Sequence, residues 1–284
     1  MSDLRHRFLF DTLPVRGLHV QLEQSWQTIL SHANYPTPIQ SALGELLAAG
    51  ALLSSNLKID GVLTLQIQPR GEKRGVVSLM VVESNSEQNI RATARFDDTQ
   101  TINPNASLQD LVGDEAVFVL TFQPKDGEAW QGIVPLEGKN VAEILMNYMA
   151  RSEQLETHLT LAADEKHCSG LLLQRLPEAE PSPDAWEYVT ALAETITTEE
   201  LLELSAEKLL YRLYHETPPR LFAPDTLRFA CTCNEDKIRR TLLFLGWEEV
   251  QSILEEQGNI SIGCDFCHRQ FHYNETQAKA LFTA

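Results

Sequence analysis

The sequence predicts an α+β protein: an N-terminal, mainly antiparallel β-sheet domain with packed helices, an acidic helical linker, and a small C-terminal module built on four cysteines. Three observations predict it. Leu63, Leu65 and Ile67 alternate with Thr64, Gln66 and Gln68, and other such runs are joined by turns rather than helices, the pattern of antiparallel strands buried on one face. Acids crowd between Glu178 and Thr217, where ten acidic residues stand against two basic ones, Lys208 and Arg212. Four of the five cysteines, Cys231, Cys233, Cys264 and Cys267, fall close to the C-terminus. The expected boundaries are 1–177 for the core domain, 178–230 for the linker and 231–284 for the module.

A chain of 284 residues, 43% apolar, is long enough for two domains and a real core. Its formal net charge of −17 disfavours nucleic acid and anionic membranes as partners, since both select Lys/Arg-rich surfaces. Met1–His6 opens no apolar signal region, and the longest mostly apolar run, Leu46–Leu57, is too short to span a bilayer. These features predict a soluble, cytoplasmic protein, where clustered cysteines indicate metal or redox chemistry.

Taken in order, Phe8–Phe10 and Val15–Gln21 read as strands around Pro14, and Leu22–Leu30 as a short helix. Thr37-Pro38 predicts a helix start, with Thr37 as capping residue and Pro38 at the first helical position. Ile39, Leu43, Leu46, Leu47, Leu53 and Leu57 follow at helical spacing and read as core. Strands are predicted at Val76–Val82 (apolar on both faces), Ile90–Phe96, Val117–Phe122 and Trp130–Leu136, with a hairpin turn at Pro124–Gly127. A helix carrying Val141, Ile144, Leu145, Tyr148 and Met149 precedes two last strands, around Leu159–Leu161 and Leu171–Leu176.

Pro181-Ser-Pro183 marks a boundary. Thr198 starts a helix with Glu199 and Glu200 in its first turn, and Leu201, Leu202, Leu209, Leu210, Leu213 and Tyr214 form its apolar face. A charged, amphipathic helix pair of this kind is stable only when that face packs on something. Pro218, Pro219 and Pro224 mark the second boundary. In the module, Asn234 caps a helix ended by Gly246, Trp247–Leu254 forms a second helix ended by Gly258, and Ile260–Ile262 with Phe271–Tyr273 suggests a hairpin.

The cysteines form Cys231-Thr-Cys233 and Cys264-Asp-Phe-Cys267, with thirty residues between the pairs. Two close pairs separated by a loop have metal-site spacing, and four thiolates suit tetrahedral Zn²⁺. One residue, not two to four, separates the first pair, so a disulfide there is strained and reducible. The quartet is thus compatible with a permanent zinc staple, or with two states: four thiolates on one zinc, or two short-range disulfides. Cys264/Cys267 alone resembles a thioredoxin-like redox pair. His268 and His272 are expected outside the ligand set, and His167-Cys168 has no catalytic signature around it. No GxxxxGK[ST] or GxGxxG motif is present, so nothing suggests ATP or a dinucleotide.

The spaced cysteine pairs resemble the hallmark of the heat-shock protein 33 family of redox-regulated holdase chaperones. The resemblance extends to Val15-Arg16-Gly17, Leu57-Lys-Ile-Asp-Gly61, Trp130-Gln-Gly132, Arg151-Ser-Glu-Gln-Leu155 and Tyr211-Arg-Leu-Tyr-His-Glu216. Gly71-Glu-Lys-Arg-Gly75 departs from the Gly-x-Gly-Pro-like turn frequent in members. The resemblance implies a non-enzymatic, ATP-independent chaperone that is silent when reduced and carries one zinc per chain on Cys231, Cys233, Cys264 and Cys267. It implies Cys231–Cys233 and Cys264–Cys267 disulfides, zinc release and homodimer formation on oxidation, with unfolding client proteins as partners. The linker face, Leu201, Leu202, Leu209, Leu210, Leu213 and Tyr214, is the candidate client surface. The alternatives are a constitutive zinc module for protein–protein binding and a thiol–disulfide oxidoreductase using Cys264/Cys267.

Overall fold

The computed structural model describes residues 3–55, 60–71, 74–177 and 183–282. Leu57 of the helical stripe, most of the Leu57–Gly61 stretch, Glu72 and Lys73 of the Gly71–Gly75 turn, and Pro181-Ser182 of the boundary signal lie outside these residues. The chain forms two compact units, Met1–Phe229 and Ala230–Ala284.

The first unit runs β1 (Leu4–Leu9), β2 (Val15–Leu22), α1 (Gln24–His32), α2 (Thr37–Ser54), β3 (Gly61–Gln68), β4 (Val77–Asn85) and β5 (Asn89–Phe96). It continues with α3 (Leu108–Val112), β6 (Val117–Pro124), β7 (Trp130–Pro135), α4 (Val141–Tyr148), a π-helical turn at Met149–Glu153, β8 (Thr157–Ala163) and β9 (Cys168–Arg175). Three further helices, α5 (Pro183–Ala193), α6 (Thr198–Glu203) and α7 (Ala206–Tyr214), precede short strands β10 (Arg220–Leu221), β11 (Asp225–Thr226) and β12 (Arg228–Phe229).

Two sheets result. The first has the order β10-β1-β2-β9-β8, with β11 also on β1; the second has the order β12-β5-β4-β3-β6-β7. Among the described residues every pairing in these sheets is antiparallel except β12 with β5. The strand predicted to be apolar on both faces is β4, inside the second sheet. Residues 220–229 thus return to extend both sheets. Pairs this short carry no periodicity, which is why the sequence reading passes over them.

Helix α2 touches strands of both sheets and is buried nearly all round, from Ile39 through Ser54. A helix apolar on every side has to lie between layers. It begins at Thr37 with Pro38 second, and Thr37 makes no capping bond. The N–H of Gln40, which a Thr37 cap would serve, instead donates to Pro36 O at 2.9 Å. The cap of α1 also comes from elsewhere: Asp3 accepts from the backbone N–H groups of Glu23, Gln24 and Ser25 at 2.7–2.9 Å.

Arg5, buried on β1, joins three segments. It donates to Ala51 O (2.7 Å) at the end of α2, to Gln88 Oε1 (2.7 Å) in the β4–β5 turn, and to Asp225 (3.0 Å) on β11. Gly17 faces Phe8 across the β1–β2 pair, and a Cβ there would fall 2.0 Å from the phenyl ring. Only glycine lets that ring lie flat on the sheet.

The first sheet is covered on both faces. Its inner face (Leu18, Val20, Leu22, Leu172) joins α2 and the second sheet in one core; its outer face (Phe8, Phe10, Val15, Leu171, Leu173) forms a second core with α5–α7. Strand β9 is accordingly buried along almost its whole length. The amphipathic helix pair expected from Thr198 onward is α6 and α7. Thr197 caps α6 in a capping box with Glu200, and the chain breaks at Leu204-Ser205, where Ser205 caps α7. The break turns both Leu201/Leu202 and Leu209/Leu210/Leu213 onto the same sheet. Tyr214 donates to Val189 O at 3.1 Å and packs edge-on against Phe10 at 5.0 Å, while Arg212 pairs with Glu200.

The second unit contains α8 (Glu235–Leu245), α9 (Trp247–Gln257), β13 (Ile260–Gly263), β14 (Gln270–Tyr273) and α10 (Glu275–Phe282). Asn234 caps α8, and Gly258 ends α9 in the left-handed conformation, φ 76°. The buried core consists of Leu242, Val250, Leu254, Ile260 and Ala278. A core this small leaves a unit of this size marginal without a staple.

Candidate metal centre

The β13–β14 hairpin and the cap of α8 bring the four cysteines together. Cys231-Thr-Cys233 runs directly into Asn234, so the helix start fixes where the first pair ends. The second pair sits in the hairpin loop. Gly263 pairs with Gln270, Cys264 N–H donates to Arg269 O at 3.0 Å, and His268 N–H donates to Cys264 O at 2.8 Å. His268 takes φ 56° to close this loop. Thiols three residues apart are thereby folded onto one side.

All four Sγ atoms lie within 4.8 Å of one another. The short contacts run between the two pairs: Cys231 to Cys264 at 3.5 Å and Cys233 to Cys267 at 3.4 Å. A disulfide needs about 2.05 Å, so the cysteines are free thiols. Tetrahedral Zn²⁺ at about 2.3 Å from each sulfur sets sulfurs about 3.8 Å apart, close to what is found. The donor set also fits, being all sulfur: His268 and His272 are exposed, and neither belongs to the cluster. Burial raises the Cys231 thiol, but hydrogen bonds from the Cys233 backbone and the other three thiols outweigh it and bring the group down to about 7. Burial, with the neighbouring thiols, pushes Cys233 up, and burial raises Cys267. Four sulfurs this close share their protons unequally, and a cation in their midst would favour the thiolate at each.

The linker residues Leu201, Leu202, Leu209, Leu210, Leu213 and Tyr214 are all buried, none more than 4% exposed. They meet Phe8, Phe10, Val15, Leu171 and Leu173, which the sequence reading placed in strands without assigning them to the linker. The available signal was Leu171-Leu172-Leu173, a run apolar on both faces that requires cover on both. Cys168 is fully buried in the main core. Burial, then Asp3 and Asp164, raises its thiol well above the ordinary value, which leaves it inert.

The family model described as Hsp33 protein matches residues 3–274. The 33 kDa chaperonin of Neisseria meningitidis serogroup B is 54% identical over 281 residues, covering 99% of this chain and 92% of the relative. That of Chromobacterium violaceum is 43% identical over 282 residues, covering 99% and 94%. The crystal structure of the 33 kDa chaperonin (heat shock protein 33 homolog) from Thermotoga maritima has the same fold, with a TM-score of 0.82 at 20% identity, covering 99% of this chain and 98% of that one. Matched along nearly its whole length by the family model and by these relatives, the chain belongs to the Hsp33 family.

Proposed function

We propose that this protein is a cytoplasmic, ATP-independent holdase whose chaperone activity is switched on by oxidation of Cys231, Cys233, Cys264 and Cys267. The observation that carries the reading is the all-sulfur cluster, within 4.8 Å, in a unit whose buried apolar cluster is five side chains among the described residues. When bound, one Zn²⁺ per chain would supply a tetrahedral cross-link and hold the sulfurs as thiolates. Structural zinc contributes roughly 10–16 kcal/mol of apparent folding free energy in small modules, against about 5–15 kcal/mol for a whole domain.

Four ligand thiolates become two disulfides, Cys231–Cys233 and Cys264–Cys267, by giving up four electrons; two molecules of peroxide accept these together with four protons from solvent and leave as four molecules of water. No ligand sulfur then remains as a thiolate, and residues 230–284 keep too small a core to stay folded. The linker helices undock in turn. Their leucines become available to unfolding clients, while Glu199, Glu203 and Glu207, exposed on the same helices, keep the complex in solution. In this form the protein pairs into a homodimer.

Zinc content before and after mild peroxide, measured with light scattering from a heat-denaturing client, tests the reading. The expected result is one zinc per reduced chain, loss of metal on oxidation, and suppression of scattering by the oxidised form without ATP. Equal activity in both redox states would show a permanent staple. Turnover in a thiol-driven insulin-reduction assay would instead show an oxidoreductase.

A further inference from the structure

Beneath α6 and α7, at one corner of the first sheet, the apolar cover gives way to polar groups. His6 on β1 and His19 on β2 are direct cross-strand partners. Both side chains point to the outer, linker-covered face, in step with Phe8 and Val15. His6 is 6% and His19 1% exposed, with ring centroids 6.5 Å apart. Gln21, next on the same face, donates to the Leu202 carbonyl near the end of α6. Above His6 stands Glu207 in the first turn of α7, its carboxylate 3.8 Å from His6 Nε2.

The hydrogen bonds fix where the proton sits on His19. Ser169 Oγ donates its one proton to Val20 O at 2.7 Å. It can therefore only accept from His19 Nε2, 3.5 Å away. Nε2 carries the hydrogen, and Nδ1 is left as a bare lone pair with no partner; Nδ1 of His6 is likewise buried and unpartnered. Adding a proton to either ring creates a buried charge and a donor with no acceptor.

The surroundings offer little compensation. On β1, Arg5 and Arg7 point to the opposite face of the sheet, where Arg5 meets α2 and both approach Asp225. β9 brings the Ser169 hydroxyl and α6 the Leu202 carbonyl, already taken by Gln21, while Glu203 on α6 and Lys208 on α7 are exposed. Glu207 alone faces the pair with charge, and its side chain is 63% exposed, so solvent screens its attraction.

We propose that His6 and His19 form a proton-sensitive latch under the linker, so that acidification loosens the docking of α6 and α7 while the cysteines remain reduced. The inference concerns docking alone and does not depend on what the linker leucines bind. Burial lowers both imidazoles. Glu207 partly offsets this for His6, whereas His19, also repelled by His6, falls to about 3. Once α6 and α7 lift, both rings face water and return toward about 6.5. The undocked state therefore takes up protons below about pH 6.5 that the docked state refuses. Docking is unaffected above that pH and is lost progressively below it, by about tenfold per pH unit for each histidine that stays neutral.

The test is hydrogen exchange of the backbone amides in 198–214, on the reduced, metal-loaded full chain between pH 7.5 and 5.5. Rates are corrected for intrinsic exchange, and metal content is measured in each sample. Protection should fall about tenfold from His19 alone and up to about a hundredfold from both. His6→Leu with His19→Leu has the same cysteine quartet and should show protection independent of pH over this range. Should that variant fail to fold, an NMR titration of the wild-type imidazoles decides: His19 must stay neutral at pH 5.5 in the docked protein. Flat wild-type protection, a pH dependence that survives in the double variant, or a docked His19 that titrates near 6.5 would each overturn the latch.

Discussion

Replacing Leu209 and Leu213 together by alanine tests whether the linker is held by its apolar face. The two side chains lie one turn apart on α7, 0% and 4% exposed, in the core formed with Phe8, Phe10, Val15, Leu171 and Leu173. A buried Leu→Ala change costs about 2–5 kcal/mol. The pair together costs about 4–10 kcal/mol if additive, and less or more to the extent that their shared neighbours couple them. Besides these two, α7 is held by Ala206, Leu210 and Tyr214, which stay buried, and by the Tyr214–Val189 hydrogen bond, the Arg212–Glu200 ion pair, the Glu207–His6 contact and the Tyr214–Phe10 ring contact. A hydrogen bond contributes about 1 kcal/mol net, and an exposed ion pair less. The main core around α2 contains neither leucine, so the sheets should survive while the linker opens. Limited proteolysis of the reduced protein should show rapid cleavage within 183–219 in the double variant and slow cleavage in the wild type, with zinc retained by both. Partial chaperone activity under reducing conditions should accompany the cleavage. Equal, slow cleavage of the two proteins would refute the reasoning, and a switch would then have to act through the first unit's sheets.

Two further outcomes follow from individual side chains. Serine at any one of Cys231, Cys233, Cys264 or Cys267 should weaken zinc binding sharply and lower the melting point of residues 230–284, whereas Cys168→Ser should leave metal content unchanged; metal analysis and calorimetry check both. Burial, offset in part by the Val141 backbone N–H, raises the Glu45 carboxyl on α2 from 4.5 to about 7. Folding therefore favours the protonated form, so this group's contribution is present in full below about pH 4.5 and is lost as pH rises through about 7. Glu45→Gln should accordingly stabilise the protein at pH 8 and change little at pH 4.5 in denaturant titrations.

The second unit shows why local signals can specify a site. Cys231-Thr-Cys233 abuts the Asn234 cap, and Cys264-Asp-Phe-Cys267 sits in the loop of a hairpin four residues long on each side. Both placements follow from short-range rules of capping and turn closure. Among the helices that escaped the sequence reading, α3 and α10 were announced by local signals. Ser107 and Asp110 cap α3 reciprocally, as Asn274 and Gln277 do at α10.

By itself the sequence determined the strands whose alternation matches the pleat, the helix stripes, the acidic amphipathic linker and the grouping of the cysteines, because each depends on residues within a few positions of one another. The tertiary structure decided what those faces meet. Which sheet lies over Leu209 and Leu213, that β9 is covered on both sides, that Asp3 caps α1 and that residues 220–229 return to β1 and β5 are all contacts between distant segments. Burial of His6 and His19 belongs to the same class. A histidine's neighbours in sequence say nothing of whether a helix nearly two hundred residues away covers it, yet that cover alone sets the cost of its proton.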